Sequence, residues 1–203
     1  MTKVYFVRHA QTDYSNPIDR DRVLTKEGMQ DRYKARDYLI SQGVDKEILH
    51  IYSSSYRRAI DTIQPFADYV GLSIQPLEEF REWCVIAPEK EYYAACKKAW
   101  EDYTYRLEGC ETLEEVQQRN IQKLLELIQM HQNETIVIGS HGTALSTILH
   151  YFNSNYNYED LMRIMEIKPW IVRFEFEKEK FLAYDEVFPI PANENKFYPI
   201  HAN

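Results

Sequence analysis

Two histidines and a pair of arginines stand close behind short apolar runs, and that placement is the first chemical signal in the chain. Arg8 and His9 follow Val-Tyr-Phe-Val at residues 4–7, Arg58 closes a serine-rich turn after an apolar run at 48–52, and His141 with Gly142 comes just after Ile-Val-Ile at 136–138. Short apolar runs rich in β-branched and aromatic residues read as buried strands. In a parallel sheet the carboxyl ends of such strands converge on one edge. Two imidazoles and two guanidinium groups gathered there would form a small, strongly donating pocket, suited to the spread negative charge of a phosphoryl group.

Other elements must position these residues. Residues 26–40 carry Met29, Tyr33, Ala35 and Tyr38 among polar neighbours, a weak helical pattern with Thr25 as cap and Gly43 beyond its end. Ala59, Ile63, Phe66, Ala67 and Val70 recur at helical spacing until Gly71, and Ser53, Ser54 and Ser55 ahead of them read as helix caps. A short strand is expected near Ile74. Thr112 and Glu115 form a capping box ahead of Val116, Leu124, Leu125 and Ile128, and residues 142–152 read as a further helix. Residues 171–176 and 181–184 suggest two edge strands. Alternating strands and helices predict an α/β fold, a three-layer α/β/α sandwich with a mainly parallel central sheet.

With 203 residues and 44% hydrophobic content, the chain fits a single domain over residues 1–203. A formal charge of −8 disfavours attraction to nucleic acid or an anionic membrane, so the few arginines must be concentrated where an anionic substrate sits. Cys84, Cys96 and Cys110 form no close pair and are odd in number, which suits a reducing compartment and a cytoplasmic location. No stretch is long enough to cross a bilayer, and the first apolar run is too short for a signal-peptide core.

The motifs together resemble the histidine phosphatase family, also called phosphoglycerate mutase-like. RHAQT at residues 8–12, LTKEG at 24–28, SSSYRRA at 53–59, the Leu-x-Glu of Leu77, Glu78 and Glu79, GCET at 109–112 and IVIGSHG at 136–142 follow the family order over most of the chain. Ala10 replaces the family glycine, and Ser15 holds the position where the family often has asparagine, with Asn16 beside it.

The resemblance implies a phosphomonoesterase. His9 would attack phosphorus and carry the phosphoryl group as a covalent intermediate. Arg8 and Arg58 would clamp the phosphate oxygens, with Arg57 as the alternative to Arg58, and His141 would donate to an equatorial oxygen. Glu79 would serve as general acid and base, with Glu82 in LEEFREW as the alternative. Gln11, Thr12, Asn16 and Gly142 would complete the substrate contacts. Each role has a residue, so neither metal nor cofactor is implied.

Residues 81–109, with Tyr92, Tyr93, Lys97, Lys98 and Trp100, are expected to form a helical lid that sets substrate choice, and Tyr14 joins Tyr92 and Tyr93 as a candidate pocket wall. The expected partner is a small phosphorylated metabolite, with a phosphoprotein left open; monomer and homodimer both stay open. A phosphoglycerate mutase-type transfer and a non-catalytic phosphate-binding module are the rival readings. His50, His131, His150 and His201 lack motif context and zinc-like spacing and read as solvated or core residues. The tail after Pro189 reads as extended.

Overall fold

The computed structural model describes residues 1–86 and 89–189. Six strands form one sheet: β1 (Thr2–Arg8), β2 (Ile48–Ser54), β3 (Ile74–Leu77), β4 (Thr135–Ser140), β5 (Trp170–Glu177) and β6 (Lys180–Phe188). Their spatial order is β3-β2-β4-β1-β5-β6, the first four parallel and the last two antiparallel. Six helices cover it: α1 (Lys26–Ser41), α2 (Arg57–Val70), α3 (Glu89–Glu101), α4 (Leu113–Met130), α5 (Gly142–Phe152) and α6 (Tyr158–Ile164). The expected tail, and His201 within it, lie outside the described residues.

Strand alternation divides the core into two layers. Tyr5, Val7, Ile51 and Val137 pack with Ala35 and Leu39 of α1 and Ile63, Phe66 and Ala67 of α2. Phe6, Tyr52, Ile138 and Phe174 pack on the other face with residues of α3, α4, α5 and α6, including Cys96, Leu124, Leu145 and Leu161. Phe6 meets Phe80 and Phe174 edge-on at ring separations of 5.8 and 5.6 Å. Each such pair adds about 0.5–1.5 kcal/mol beyond area burial.

Register brings the site together. Arg8 of β1 pairs with Ser140 of β4, and Ser53 of β2 pairs with Gly139 of β4, so the carboxyl ends of the three strands lie side by side. On α1, Met29 and Tyr33 are exposed while Ala35 and Leu39 are buried against the sheet. One expectation needs correction. Ser53 and Ser54 are not helix caps: they end β2, and the residue before α2 is Tyr56, with no side-chain cap bond. Gly71 does end α2 in the left-handed region, at φ 70°. α6 was not anticipated, although Asn157 caps it through a capping box with Asp160.

Candidate active site

β1 delivers Arg8 and His9 to the sheet edge, both 3% exposed. The His9 ring is fixed through Nδ1, which lies 2.8 Å from the Ala10 carbonyl oxygen. A carbonyl only accepts, so that contact places the proton on Nδ1 and leaves the Nε2 lone pair free. The Thr12 hydroxyl sits 3.0 Å from the same Nδ1 and donates to the Ala10 oxygen at 3.2 Å. Ala10 itself is anchored from α2, its N–H donating to Thr62 Oγ1 at 2.9 Å. Burial, followed by the Arg58 and Arg8 charges, holds the His9 imidazole well below its usual pKa. The ring is therefore neutral at pH 7, as a nitrogen nucleophile must be.

The LTKEG segment braces this loop. Thr25 caps α1 by accepting from the Gly28 N–H, while its own N–H donates to the Gln11 carbonyl at 3.0 Å. A Cβ on Gly28 would stand 2.2 Å from that carbonyl oxygen, so only glycine permits the approach. The Gln11 side chain is exposed and accepts from the Thr25 hydroxyl at 2.7 Å. Asn16 accepts from the Ile18 N–H with its Oδ1, closing a local turn. In this arrangement Gln11 and Asn16 hold the loop, and Thr12 holds the His9 ring.

β4 delivers His141, which is fully buried and 5.3 Å from His9 between ring centres. Its Nε2 lies 2.7 Å from Ser54 Oγ, and its Nδ1 has no partner. Burial, then Arg58, lowers its pKa well below the usual value, so it too is neutral. The Ser54 hydroxyl can donate to or accept from Nε2; when it donates, the proton sits on Nδ1 as a donor without a partner. Gly142 follows because a Cβ there would come within 3.0 to 3.1 Å of the Arg8 guanidinium lying over it.

Arg8 is gripped by backbone carbonyls at the end of α6: Ile164, Ile167 at 3.3 Å and Met165 at 3.4 Å. Its Nε is buried and without a partner. Arg58, on the first turn of α2, is equally buried and donates to the Asp19 carbonyl at 2.7 Å and to the Asp19 carboxylate at 3.3 Å. Arg57 points to solvent and pairs with Asp61. Arg8 and Arg58 are thus the two guanidinium groups at the histidine pair.

The glutamates separate clearly. Glu79 projects toward α4, its carboxylate 3.4 Å from Lys123 Nζ and 38% exposed. Glu82 instead turns to the start of α5, accepting from the N–H groups of Thr143 at 3.2 Å and Ala144 at 2.9 Å, and it is the main carboxylate acting on Arg8. Of the two glutamates, Glu82 is the one that reaches the start of α5, directly after His141, and the Arg8 charge. Phe80, fully buried, anchors a single 3-10 turn over Glu78–Phe80, and Arg81 leaves it in an extended conformation, which points the two glutamates apart.

Two positioning groups, Arg119 and Lys168, escaped the sequence reading. Arg119 on α4 donates to the carbonyls of Glu79 at 2.5 Å, Arg81 at 2.9 Å and Glu82 at 3.2 Å, while Glu111 of GCET accepts from Arg119 and Arg81. Lys168, half-buried beside Arg8, adds a third positive charge acting on His9. The 3.6-residue period of α4 gives no hint of Arg119, a partly buried arginine four positions after the capping-box Glu115. Tyr92 of α3 shares a hydrogen bond with Thr143 and, like Tyr14, acts on the Arg8 charge; Tyr93 is 53% exposed. Beyond Tyr56, whose ring meets His141 at 5.2 Å, a cavity of about 490 Å³ is lined by Arg20, Arg81, Arg106 and Glu111.

Comparison with known proteins agrees with this arrangement. The family model of the histidine phosphatase superfamily (branch 1) matches residues 4–183. Phosphoserine phosphatase 1 of Hydrogenobacter thermophilus is 29% identical over 151 residues, covering 70% of this chain and 71% of its own. Bacillus stearothermophilus YhfR superposes with a TM-score of 0.71 at 23% identity, over 89% of this chain and 94% of its own. A histidine-to-alanine variant of the Entamoeba histolytica phosphoserine phosphatase, solved with phosphoserine, gives 0.70 at 21% identity, over 90% and 94%. With buried histidines and arginines from β1, α2 and β4 at one sheet edge, on the phosphoglycerate mutase-like fold, the chain belongs to the histidine phosphatase superfamily and is a phosphohydrolase of its branch 1.

Proposed function

We propose that the chain hydrolyses a small anionic phosphomonoester, with phosphoserine the first to test, through a phosphohistidine on His9. The observation that carries this reading is the His9 ring, locked by Nδ1 on the Ala10 carbonyl so that Nε2 is free between Arg8, Arg58 and His141. Nε2 attacks phosphorus, the ester P–O bond breaks, and protonated Glu82 gives its proton to the leaving alkoxide. The Glu82 carboxylate then takes a proton from water, whose oxygen displaces neutral His9 from phosphorus. His141 Nδ1 and Arg8 Nε, buried without partners, supply donors to the phosphoryl oxygens. An unpaired buried donor costs about 1–3 kcal/mol, recovered when the anion arrives. Every role is filled by a side chain, so the proposal requires no metal at this site.

A substrate with a second anionic group is favoured by Lys168 and by the arginine-lined cavity past Tyr56. Among the described residues no helix is long and apolar enough to cross a membrane. The three free thiols fit the reducing cytoplasm as the working compartment.

The test is phosphate release from phosphoserine, 3-phosphoglycerate and p-nitrophenyl phosphate with a chelator present, beside His9→Ala, with mass spectrometry of the quenched enzyme under alkaline conditions. Chelator-resistant turnover and a phosphate adduct on the His9 peptide are expected, both absent from the variant. Turnover persisting in His9→Ala would overturn the mechanism, and stimulation by a bisphosphorylated primer would favour mutase-type transfer.

A further inference from the structure

At the sheet edge opposite the histidine pair, His50, His131 and Glu134 converge from separate elements. His50 lies near the start of β2, directly after a register shift between Ile48 and His50 that re-aims the strand's side chains. His131 caps the end of α4. Asn133, in the left-handed region at φ 65°, turns the chain so that Glu134 comes back over His131. His50 Nε2 lies 3.4 Å from Glu134 Oε2, and His131 Nδ1 lies 3.0 Å from the same oxygen. The three candidate ligand atoms all fall within 4.8 Å of one another.

From these positions we infer that the three side chains form a zinc site, separate from the phosphohydrolase centre. Two imidazoles and one carboxylate are a known zinc ligand set, completed by water at a fourth, open position. Ligand atoms bound at 2.0–2.1 Å around a tetrahedral ion stand roughly 3.3 Å apart, the scale of the separations seen here. His131 has the outer partner such a ligand needs. Its Nδ1–H donates to the Glu134 carboxylate, which only accepts, and its Nε2 accepts from the buried Tyr52 hydroxyl at 2.8 Å; an ion taken up at Nδ1 would displace that proton, and Nε2–H would then donate to Tyr52 Oη. The His50 and Glu134 side chains are 33% and 32% exposed and leave an entry path, whereas that of His131 is 8% exposed and rigid. The nearby Lys3 ammonium is occupied by Glu47 at 3.2 Å. An ion here would tie the start of β2 to the α4–β4 turn, so its effect is on stability and not on turnover.

Metal-stripped protein titrated with zinc by calorimetry should take up one equivalent at this site, and cobalt substitution should give the strong visible absorption of a tetrahedral centre. His50→Ala and Glu134→Gln should each weaken zinc binding at least tenfold, and Tyr52→Phe by about 10–100-fold through the lost orientation of His131. Zinc at a hundredfold excess over its dissociation constant should raise the melting temperature by about 5–10 °C, a rise absent in His50→Ala. Phosphate release by His50→Ala should equal that of the parent. Absence of zinc uptake would overturn the site and leave the three groups as a hydrogen-bonded cluster, as would uptake or a melting shift that His50→Ala and Glu134→Gln leave unchanged. Neither result bears on the His9 mechanism, which is read separately from turnover.

Discussion

Replacing Glu82 by Gln, beside the same change at Glu79, tests which carboxyl group moves the proton. Glu82 stands over the start of α5 next to His141 and Arg8, and Glu79 faces Lys123 across the surface of α4. Loss of a general acid costs about 10²- to 10⁴-fold, so Glu82→Gln should lower kcat for phosphoserine by that factor. The loss on p-nitrophenyl phosphate should be smaller, because a nitrophenolate leaves without much help from a proton. Gln retains an acceptor oxygen for only one of the Thr143 and Ala144 N–H groups and loses the charge at the helix start, about 0.5–2 kcal/mol of stability. A melting curve separates that effect from chemistry. Glu79→Gln breaks only a partly exposed ion pair worth about 1 kcal/mol or less, and its kcat should stay within about threefold of the parent. A larger loss in Glu79→Gln than in Glu82→Gln would refute the assignment. Equal losses on both substrates in Glu82→Gln would show that its carboxylate only orders α5.

Thr12→Val removes the hydroxyl that steadies the His9 ring and should lower kcat about tenfold with KM little changed, since about 1.4 kcal/mol of positioning is lost without touching the phosphate clamp. Gly28→Ala places a Cβ 2.2 Å from the Gln11 carbonyl oxygen and should cost about 1–3 kcal/mol, seen as a melting temperature about 2–12 °C lower, together with reduced activity. His9 and His141 both have folded-state pKa values held below the unfolded value, so the unfolded chain binds more protons as pH falls below about 6.5. The stability they lend is present above that pH and is lost at up to about 1.4 kcal/mol per unit for each ring on acidification. Urea unfolding between pH 7.5 and 5.5 measures it, and a slope unaltered in His141→Gln would contradict the burial argument.

Local sequence decided the elements whose information is contiguous. The apolar runs of β1 and β4 end at Arg8 and His141, the Thr112–Glu115 box starts α4, and residues 142–152 form α5 as their pattern indicates. Parallel pairing then follows from strands alternating with helices, which is why the histidine and arginine cluster could be read before any coordinates. The sequence left open what depends on the direction of a side chain after a turn. Leu-x-Glu spacing points to Glu79, but the buried Phe80 sets a 3-10 turn that sends Glu82 to α5 instead. RHAQT offers Gln11 and Thr12 as ligands; in the fold Gln11 meets Thr25 beside Gly28, and the Thr12 hydroxyl meets the His9 ring. Arg119 and the carbonyls of α6 act on Glu82 and Arg8 from far along the chain, and His50, His131 and Glu134 meet only because β2 and β4 are neighbours. Periodicity and motif order report the burial of each segment against an average environment; the partners of a charged side chain are fixed only when helices from distant parts of the chain are packed on the sheet.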